Sequence, residues 1–325
     1  MSEVKTNVLT PADNTVNLCG VLKSMETVKT TNPDLIMLNC VIAPAPDSEI
    51  RVSLSANRMT KGGNGREAKE NGWFKGLETV RDNFVSVASL VKQGMSAEEA
   101  YQKADKVMAV SASLELREYY DQQEQLHSSV NVRANSLSRV DPALPYTPMA
   151  KAELEGFIER IMPEMKGEDE TGRLKMDVDV PGWGGRIMPM HFVTKKGAVT
   201  EYINDHYHKN DTVRLFVEIV NTLTVVKQEV HGFAGSETKE TTTRVNELLV
   251  YNGSEEPYDE DSKLAYKLAD IQNAMRVRET EYLPGLKKKS EERRANKSAN
   301  TGFATSPTFG AAVPPSNKPF SLSDL

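Results

Sequence analysis

Two stretches, DKVMAVSASLE at 105–115 and DTVRLFVEIV at 211–220, follow a polar lead-in with apolar side chains at every second position. In the second, Val213, Leu215, Val217 and Ile219 alternate with Arg214, Phe216 and Glu218. Period two marks a strand with one face in a core. DLIMLNCVIAP reads the same way, with Ile36, Leu38, Cys40 and Ile42 on one face. In EIRVSLSAN, Ile50, Val52 and Leu54 oppose Arg51, Ser53, Ser55 and Asn57.

These strands recur in order. At an offset of 136, VNLCGVLKSM (16–25) lies on AELEGFIERI (152–161), pairing Leu18 with Leu154, Gly20 with Gly156 and Leu22 with Ile158. Leu38, Cys40 and Ile42 then meet Leu174, Met176 and Val178, and Val52 and Leu54 meet Met188 and Met190. The fourth strands align at an offset of 106, Val107 on Val213, so the first copy carries 30 extra residues between its third and fourth strands. SVNVRANSL (129–137) pairs loosely with TTRVNELLV (242–250). Self-similarity of this kind changes the whole fold assignment. Between strands three and four each copy shows a helix. One is GAVTEYINDHY, with Val199, Tyr202, Ile203 and His206 at helical spacing; the other is SAEEAYQKA, where Ser96 and Glu99 have capping-box spacing. Three strands, a helix and two strands, twice over, predict a mainly β protein of tandem OB-folds, five-stranded Greek-key barrels. Gly20 and Gly156 fall inside first strands, where a barrel strand must bend. A pair of unrelated β domains is the other arrangement this pattern allows.

The predicted boundaries are an OB-fold domain at 1–145 with a Gly-rich basic insertion near 57–95, and a second at 150–258. An amphipathic helix and basic segment follow at 263–297, then a disordered tail at 298–325. Leu264, Leu268, Ile271 and Met275 space the helix, and Pro284 is expected to end it. The tail's Ser, Ala, Pro, Gly, Asn and Thr cannot bury enough apolar surface to fold.

Composition adjusts this picture little. Of 325 residues, 38% are hydrophobic and 26% charged, as in a globular chain. No apolar run reaches the roughly 18 residues of a membrane span, and the N-terminus lacks a signal-peptide pattern. A cytoplasmic setting is therefore expected, with Cys19 and Cys40 as free thiols. The net charge of −6 argues weakly against nucleic acid, but charge is unevenly spread. Residues 51–92 hold eight basic and four acidic side chains, and 287–297 hold six and two.

A single-strand binder needs cations that track phosphates and exposed rings on which bases stack. Arg51, Arg58, Lys61, Arg66, Trp73, Phe74 and Lys75 offer both beside the first barrel's third strand; Trp183, Arg186, His191, Arg214 and Phe216 do so in the second. Each also has a bland reading. Trp73 and Phe74 fit a packed amphipathic helix with Leu77 and Phe84, Trp183 fits a plug in its barrel's mouth, and Phe216 fits a face covered by the other domain. The arginines fit a solvated surface. No cofactor or metal site is predicted. Asp205, His206, His208 and Asp211 cluster in NDHYHKND, but on a helix the two histidines point apart, and HExxH, GxSxG and GxxxxGKS are absent. No enzyme is expected.

The order VNLCGVLK, strand, strand, helix, DKV-strand, strand, flexible tail resembles single-stranded DNA-binding proteins. With PGWGGRIMPMHF and ELLVYNGSEEPY in the second half, the chain is similar to bacteriophage replication proteins with two OB-fold domains over about 16–260. The resemblance implies sequence-independent coating and protection of single-stranded DNA in replication or recombination, in the cytoplasm of a bacterial host. It also implies replication or recombination partners for the tail. In that family the tail ends in acidic residues and a Phe; here NKPFSLSDL has one Asp, and its Phe is set back. Homo-oligomerisation stays open. Two other readings stand beside this one: an OB-fold structural or adaptor protein of a phage assembly without nucleic-acid affinity, and a metal-dependent hydrolase built on 205–211.

Overall fold

The computed structural model describes residues 9–60, 67–232 and 235–301, with the backbone alone at 224–232, 235–242 and 296–301. The first copy opens with an antiparallel meander, β1 (Asn14–Thr27), β2 (Leu35–Ala43) and β3 (Ile50–Asn57). Three helices follow: α1 (Gly72–Asn83), α2 (Val87–Lys92) and α3 (Ala97–Lys103). The fourth barrel strand is broken at Ser111, whose φ is 49°, into β4 (Lys106–Val110) and β5 (Ser113–Tyr120). The fifth is broken into β6 (Leu126–Ala134) and β7 (Ser136–Arg139). β3 pairs in parallel with β6, β5 with β6, β4 with β7, and β4 returns to β1, which closes the barrel.

The second copy repeats the circuit with β8 (Met149–Lys166), β9 (Asp169–Pro181), β10 (Ile187–Thr194), α4 (Ala198–His206), β11 (Thr212–Gly232) and β12 (Gly235–Gly253). β10 pairs in parallel with β12, and β11 closes on β8. Two closed five-strand circuits of this connectivity are tandem OB-folds.

The register shows that one unit is written twice. Gly20 faces Val107 in the first barrel and Gly156 faces Val213 in the second. Each first strand has a bulge at the matching place, between Leu22 and Ser24 and between Ile158 and Arg160. The glycines are required by close approach: a Cβ on Gly20 would stand 2.6 Å from the Ala43 carbonyl, and one on Gly156 would collide with the Val178 side chain. The last strand departs from the expected alignment. Leu137 faces Ala109 whereas Gly253 faces Leu215, an offset of 116 where the sequence suggested 113. The irregularities fall in different places, one between Phe216 and Val217 in β11 and one between β6 and β7.

β1 also pairs antiparallel with β8 from Asn14–Leu154 to Cys19–Met149, so twelve strands form one sheet and the interiors one continuous core. Alternation explains it, since Leu18, Leu22, Leu38, Ile42, Leu54, Leu154, Ile158 and Met176 are fully buried. Cys19 and Cys40 are free, buried thiols, and burial pushes Cys40 up to about 12.

Two helix expectations are corrected. α3 exists and its Ser96 hydroxyl accepts from the Glu99 N–H at 3.3 Å, yet α1 is the helix that plugs the barrel. Its Phe74, Leu77 and Val80 join the main core, as Ile203 of α4 does in the second barrel. Pro284 does not end the C-terminal helix. α5 (Leu268–Val277) passes through a π turn at Arg278–Tyr282 into α6 (Leu283–Thr301). Pro284 sits in the first turn of α6, where a missing N–H is tolerated. The predicted tail thus begins with four helical residues, and 302–325 lie outside the described residues.

Candidate nucleic-acid interface

β2, β3, β6 and β5 send alternate side chains away from the first barrel's core. There they floor an open groove of about 370 Å³ that holds Asn39, Ser53, Ser55, Arg117 and Asn131 and ends at Arg186 and Tyr282. Arg51 and Arg117 stand exposed on this face, with no ionic partner among the described residues. Arg133 reaches Glu115 at 3.4 Å. Farther along β5 and β6, Tyr119 and His127 face each other across the strands with their rings stacked, centroids 5.2 Å apart and planes at 17°. Tyr119 is 51% exposed. His127 is held by Asp121 at 2.6 Å, a bond that with two backbone N–H groups draws the carboxyl below its ordinary range. The sequence reading missed Arg117, Tyr119 and His127. Their signal was available: in SLELREYY, Arg117 and Tyr119 stand out of phase with Leu114 and Leu116.

At the groove's other end sits the β9–β10 turn. It closes with a Gly182 N–H to Arg186 carbonyl bond of 2.6 Å, and Gly184 and Gly185 take φ of 73° and 77°, a region that favours glycine. The turn lifts Trp183 until it is 91% exposed. Three residues on, Arg186 donates to the Leu116 carbonyl of β5 at 2.8 Å and lies 4.7 Å above the Tyr282 ring. The second barrel's turn is thereby tied to the first barrel's groove. Glu118 beside it is fully buried and paired with Arg278.

The expected site residues divide. Trp183 and Arg51 are open to a ligand, and Trp73 is 43% exposed in the first turn of α1. Phe74 is corrected: at 4% exposure it is core, because its place on α1 points into the barrel, and the Arg58 guanidinium covers its ring at 4.4 Å. Arg58 is further engaged by Asp34 at 3.2 Å, and Lys75 by Glu70 at 2.8 Å. Arg186 is structural, as described. Arg214 is corrected too. It lies among Glu155 at 2.8 Å, Glu153 at 3.0 Å and Asp13 at 3.5 Å, with the Glu155 hydrogen bond foremost in raising its pKa, so its charge is already neutralised. Phe216 is half-buried on β11. His191 meets Asp177 at 2.6 Å. Lys61 and Arg66 lie outside the described residues.

The matching face of the second barrel is partly covered by α5, with a cavity of about 580 Å³ between them. Asp177, Asp179 and Ile187 point outward from β9 and β10 yet are buried: α5 lays Ile271 against Phe157 and Ile187 and lies beside Asp179, and Arg160 and His191 cover Asp177. Burial pushes Asp179 up to about 6, with Glu159 and Asp177 adding to the shift and Arg278 opposing it. In the 204–211 segment, the His206 ring stacks on Tyr202 at 4.2 Å, whereas the His208 ring lies 3.8 Å from Asp211, whose carboxylate accepts from the His208 backbone N–H at 2.6 Å, so the two imidazoles have different neighbours. Among the described residues, no group of three or more His, Cys, Asp and Glu side chains is placed to hold a metal, and no helix is long and apolar enough to cross a membrane.

Fold and face together define a tandem OB-fold protein with a groove on the first barrel's outer face and a second cavity where α5 packs against the second barrel. The YorF family model matches residues 12–289, and the chain belongs to the YorF family. Among solved structures, a deletion mutant of the single-stranded DNA binding protein from Thermus aquaticus is similar with a TM-score of 0.46 at 14% identity, over 78% of this chain and 98% of that one. A replication protein A heterotrimer bound to ssDNA gives 0.18 at 7% identity, over 76% and 51%. Both scores lie below 0.5, and the fold assignment rests on the strand pairings. A search of curated proteins gives no match.

Proposed function

We propose that this protein binds and coats single-stranded DNA during replication or recombination, through phosphate contacts and base stacking. The observation that carries the reading is the first barrel's open groove. Arg51 and Arg117 stand on its face with no ionic partner among the described residues, the exposed Tyr119 and His127 lie farther along β5 and β6, and the exposed Trp183 lies three residues from Arg186 of the groove's lining. Cations capture the backbone in a salt-sensitive way, and each stacked base adds about 1–3 kcal/mol whatever its identity. A duplex holds its bases stacked on one another, so their faces are hidden from these rings. The test is fluorescence anisotropy with a labelled oligo-dT of about 30 nucleotides at low and moderate salt, against the matching duplex. Preference for the single strand, with log K falling by about 0.7 per neutralised phosphate for each unit of log salt, is the expected result. Equal or absent binding at low salt refutes the reading.

A second reading has its own observation. The second barrel's outer face, where Phe157 and Ile187 take up Ile271, suits a protein-docking or structural module, here docked by the chain's own α5. The two roles are compatible within one chain, one barrel for each.

A further inference from the structure

The groove floor is chemically odd for a surface that only tracks phosphates. Beside the charged Glu115, Arg117 and Arg133, its lining holds neutral hydrogen-bonding side chains: Asn39 of β2, Ser53 and Ser55 of β3, and Asn131 of β6. Register places them together, with Asn39 opposite Ser53 and Ser53 beside Arg133, while Asn131 lies opposite Glu115. Among the described residues, none of these four side chains is hydrogen-bonded to another protein group. Arg117 lines the groove with them, Arg51 and Tyr119 lie on the same faces of β3 and β5, and Trp183 lies three residues from the lining residue Arg186. Carboxamides contribute nothing to phosphate attraction at long range and offer little for stacking. Their fixed pairing of one donor and one acceptor does match the edge of an unpaired base. The volume, about 370 Å³, is within the range of pockets that hold small ligands.

We propose that the first barrel's groove reads base edges, with Asn39 and Asn131 as the reading groups, so that the protein ranks single strands by base while binding all of them. The inference rests on the single-strand reading and refines it. Stacking and phosphate contacts set the general affinity, and the carboxamides set the ranking. A base that leaves a carboxamide unpaired in the groove forfeits that bond and the water it displaced.

The experiment measures the intact chain and its Asn39→Ala/Asn131→Ala variant against fluorescent dT, dC and dA oligomers of equal length, over a salt series. Self-stacking of each oligomer is common to both proteins and cancels in the comparison. Loss of a good bidentate pair is worth a factor of about five or more. The expected result is therefore that the variant's affinity for at least one oligomer falls by at least about fivefold relative to the others, with the salt slope unchanged. Arg117→Ala, on the same face, is the counterpart, lowering all three affinities together and making the slope shallower. If the asparagine variant shifts all three oligomers equally, or none, the edge-reading proposal is overturned while the coating function stands. If the intact chain binds none of the three at low salt, the coating reading falls, and this proposal with it. Both asparagines are on the solvent side of their strands, and an unchanged melting temperature identifies a folded variant.

Discussion

Trp183 and Phe74 show how little a residue's type says about its use. In the sequence both are aromatic residues near glycines and a basic side chain, Arg186 for Trp183 and Lys75 for Phe74, and both fit a base-stacking role. The structure leaves one indole 91% exposed on a glycine turn and buries the phenyl ring to 4%. Replacing Trp183 with Ala is therefore expected to weaken binding to oligo-dT by about 1–3 kcal/mol with no measurable change in unfolding midpoint, read by anisotropy and urea titration. Phe74→Ala should do the reverse, costing about 3–5 kcal/mol of stability. At temperatures where it stays folded, its DNA affinity should be intact. Equal losses of affinity in the two variants would show that burial in this structure misidentifies the interface. The sequence could not separate the pair because the deciding quantity, the direction of each side chain from its own backbone, depends on which helix closes the barrel. For Arg214 the missing fact was long-range. Glu153 and Glu155 neutralise it from a strand about sixty positions away, and no local pattern announces that.

Elements were more legible than sites. Period-two alternation placed the barrel strands, and the repeated Gly20 and Gly156 marked the same bend twice, because a strand buried on one face has little freedom in its pattern. What failed was the choice among helices and the end of the last one. α1 and α3 are both amphipathic, and only packing shows that Leu77 of α1 fills the barrel. Pro284 reads as a stop, yet a π turn just before it lets α6 continue. α6 has work to do on the first barrel. β5 is the last strand in its sheet, and α6 covers that edge, with the Ser290 hydroxyl donating to the Tyr120 carbonyl at 3.0 Å, Arg294 reaching the Tyr120 and Asp121 carbonyls and Lys287 meeting Glu124 at 2.5 Å. An uncovered strand edge is a template for pairing with another chain. A chain ended after Tyr282 should accordingly self-associate in sedimentation velocity at concentrations where one ended after Thr301 does not. Identical behaviour of the two would mean that α6 leaves the edge's association unaffected.

At the scale of the whole molecule, two copies of one unit have been given different surfaces, and the difference is electrostatic as well as steric. The first barrel shows solvent Arg51 and Arg117 and a floor of Asn and Ser side chains beside the Glu115–Arg133 pair. The second shows Asp177 and Asp179 beneath α5, with Arg160 and His191 on Asp177 and Arg278 near Asp179. For Asp177 burial raises the pKa, but the bonds from Arg160 and His191 outweigh it and the net shift is downward. Asp179 has only the distant help of Arg278 against burial and the repulsion of Glu159 and Asp177, and is pushed from 3.8 up to about 6. A carboxyl that rises on folding binds its proton more tightly in the folded state. Its contribution is most favourable below about pH 4 and is lost as pH climbs through about 6. At neutral pH the ionised group opposes folding by up to about 3 kcal/mol, since each tenfold gain in proton affinity on folding corresponds to about 1.4 kcal/mol. Asp179→Asn removes that opposition. The variant should be more stable than the parent at pH 7, and its advantage should shrink steadily from about pH 6 to vanish near pH 4, while Asp177 acts in the opposite sense in both proteins and cancels from the difference. Urea unfolding of the two proteins across that range measures it directly. A constant difference, or one that grows toward acid pH, would mean that Asp179 is ionised and satisfied in its pocket, and that α5 covers the second barrel without an electrostatic cost.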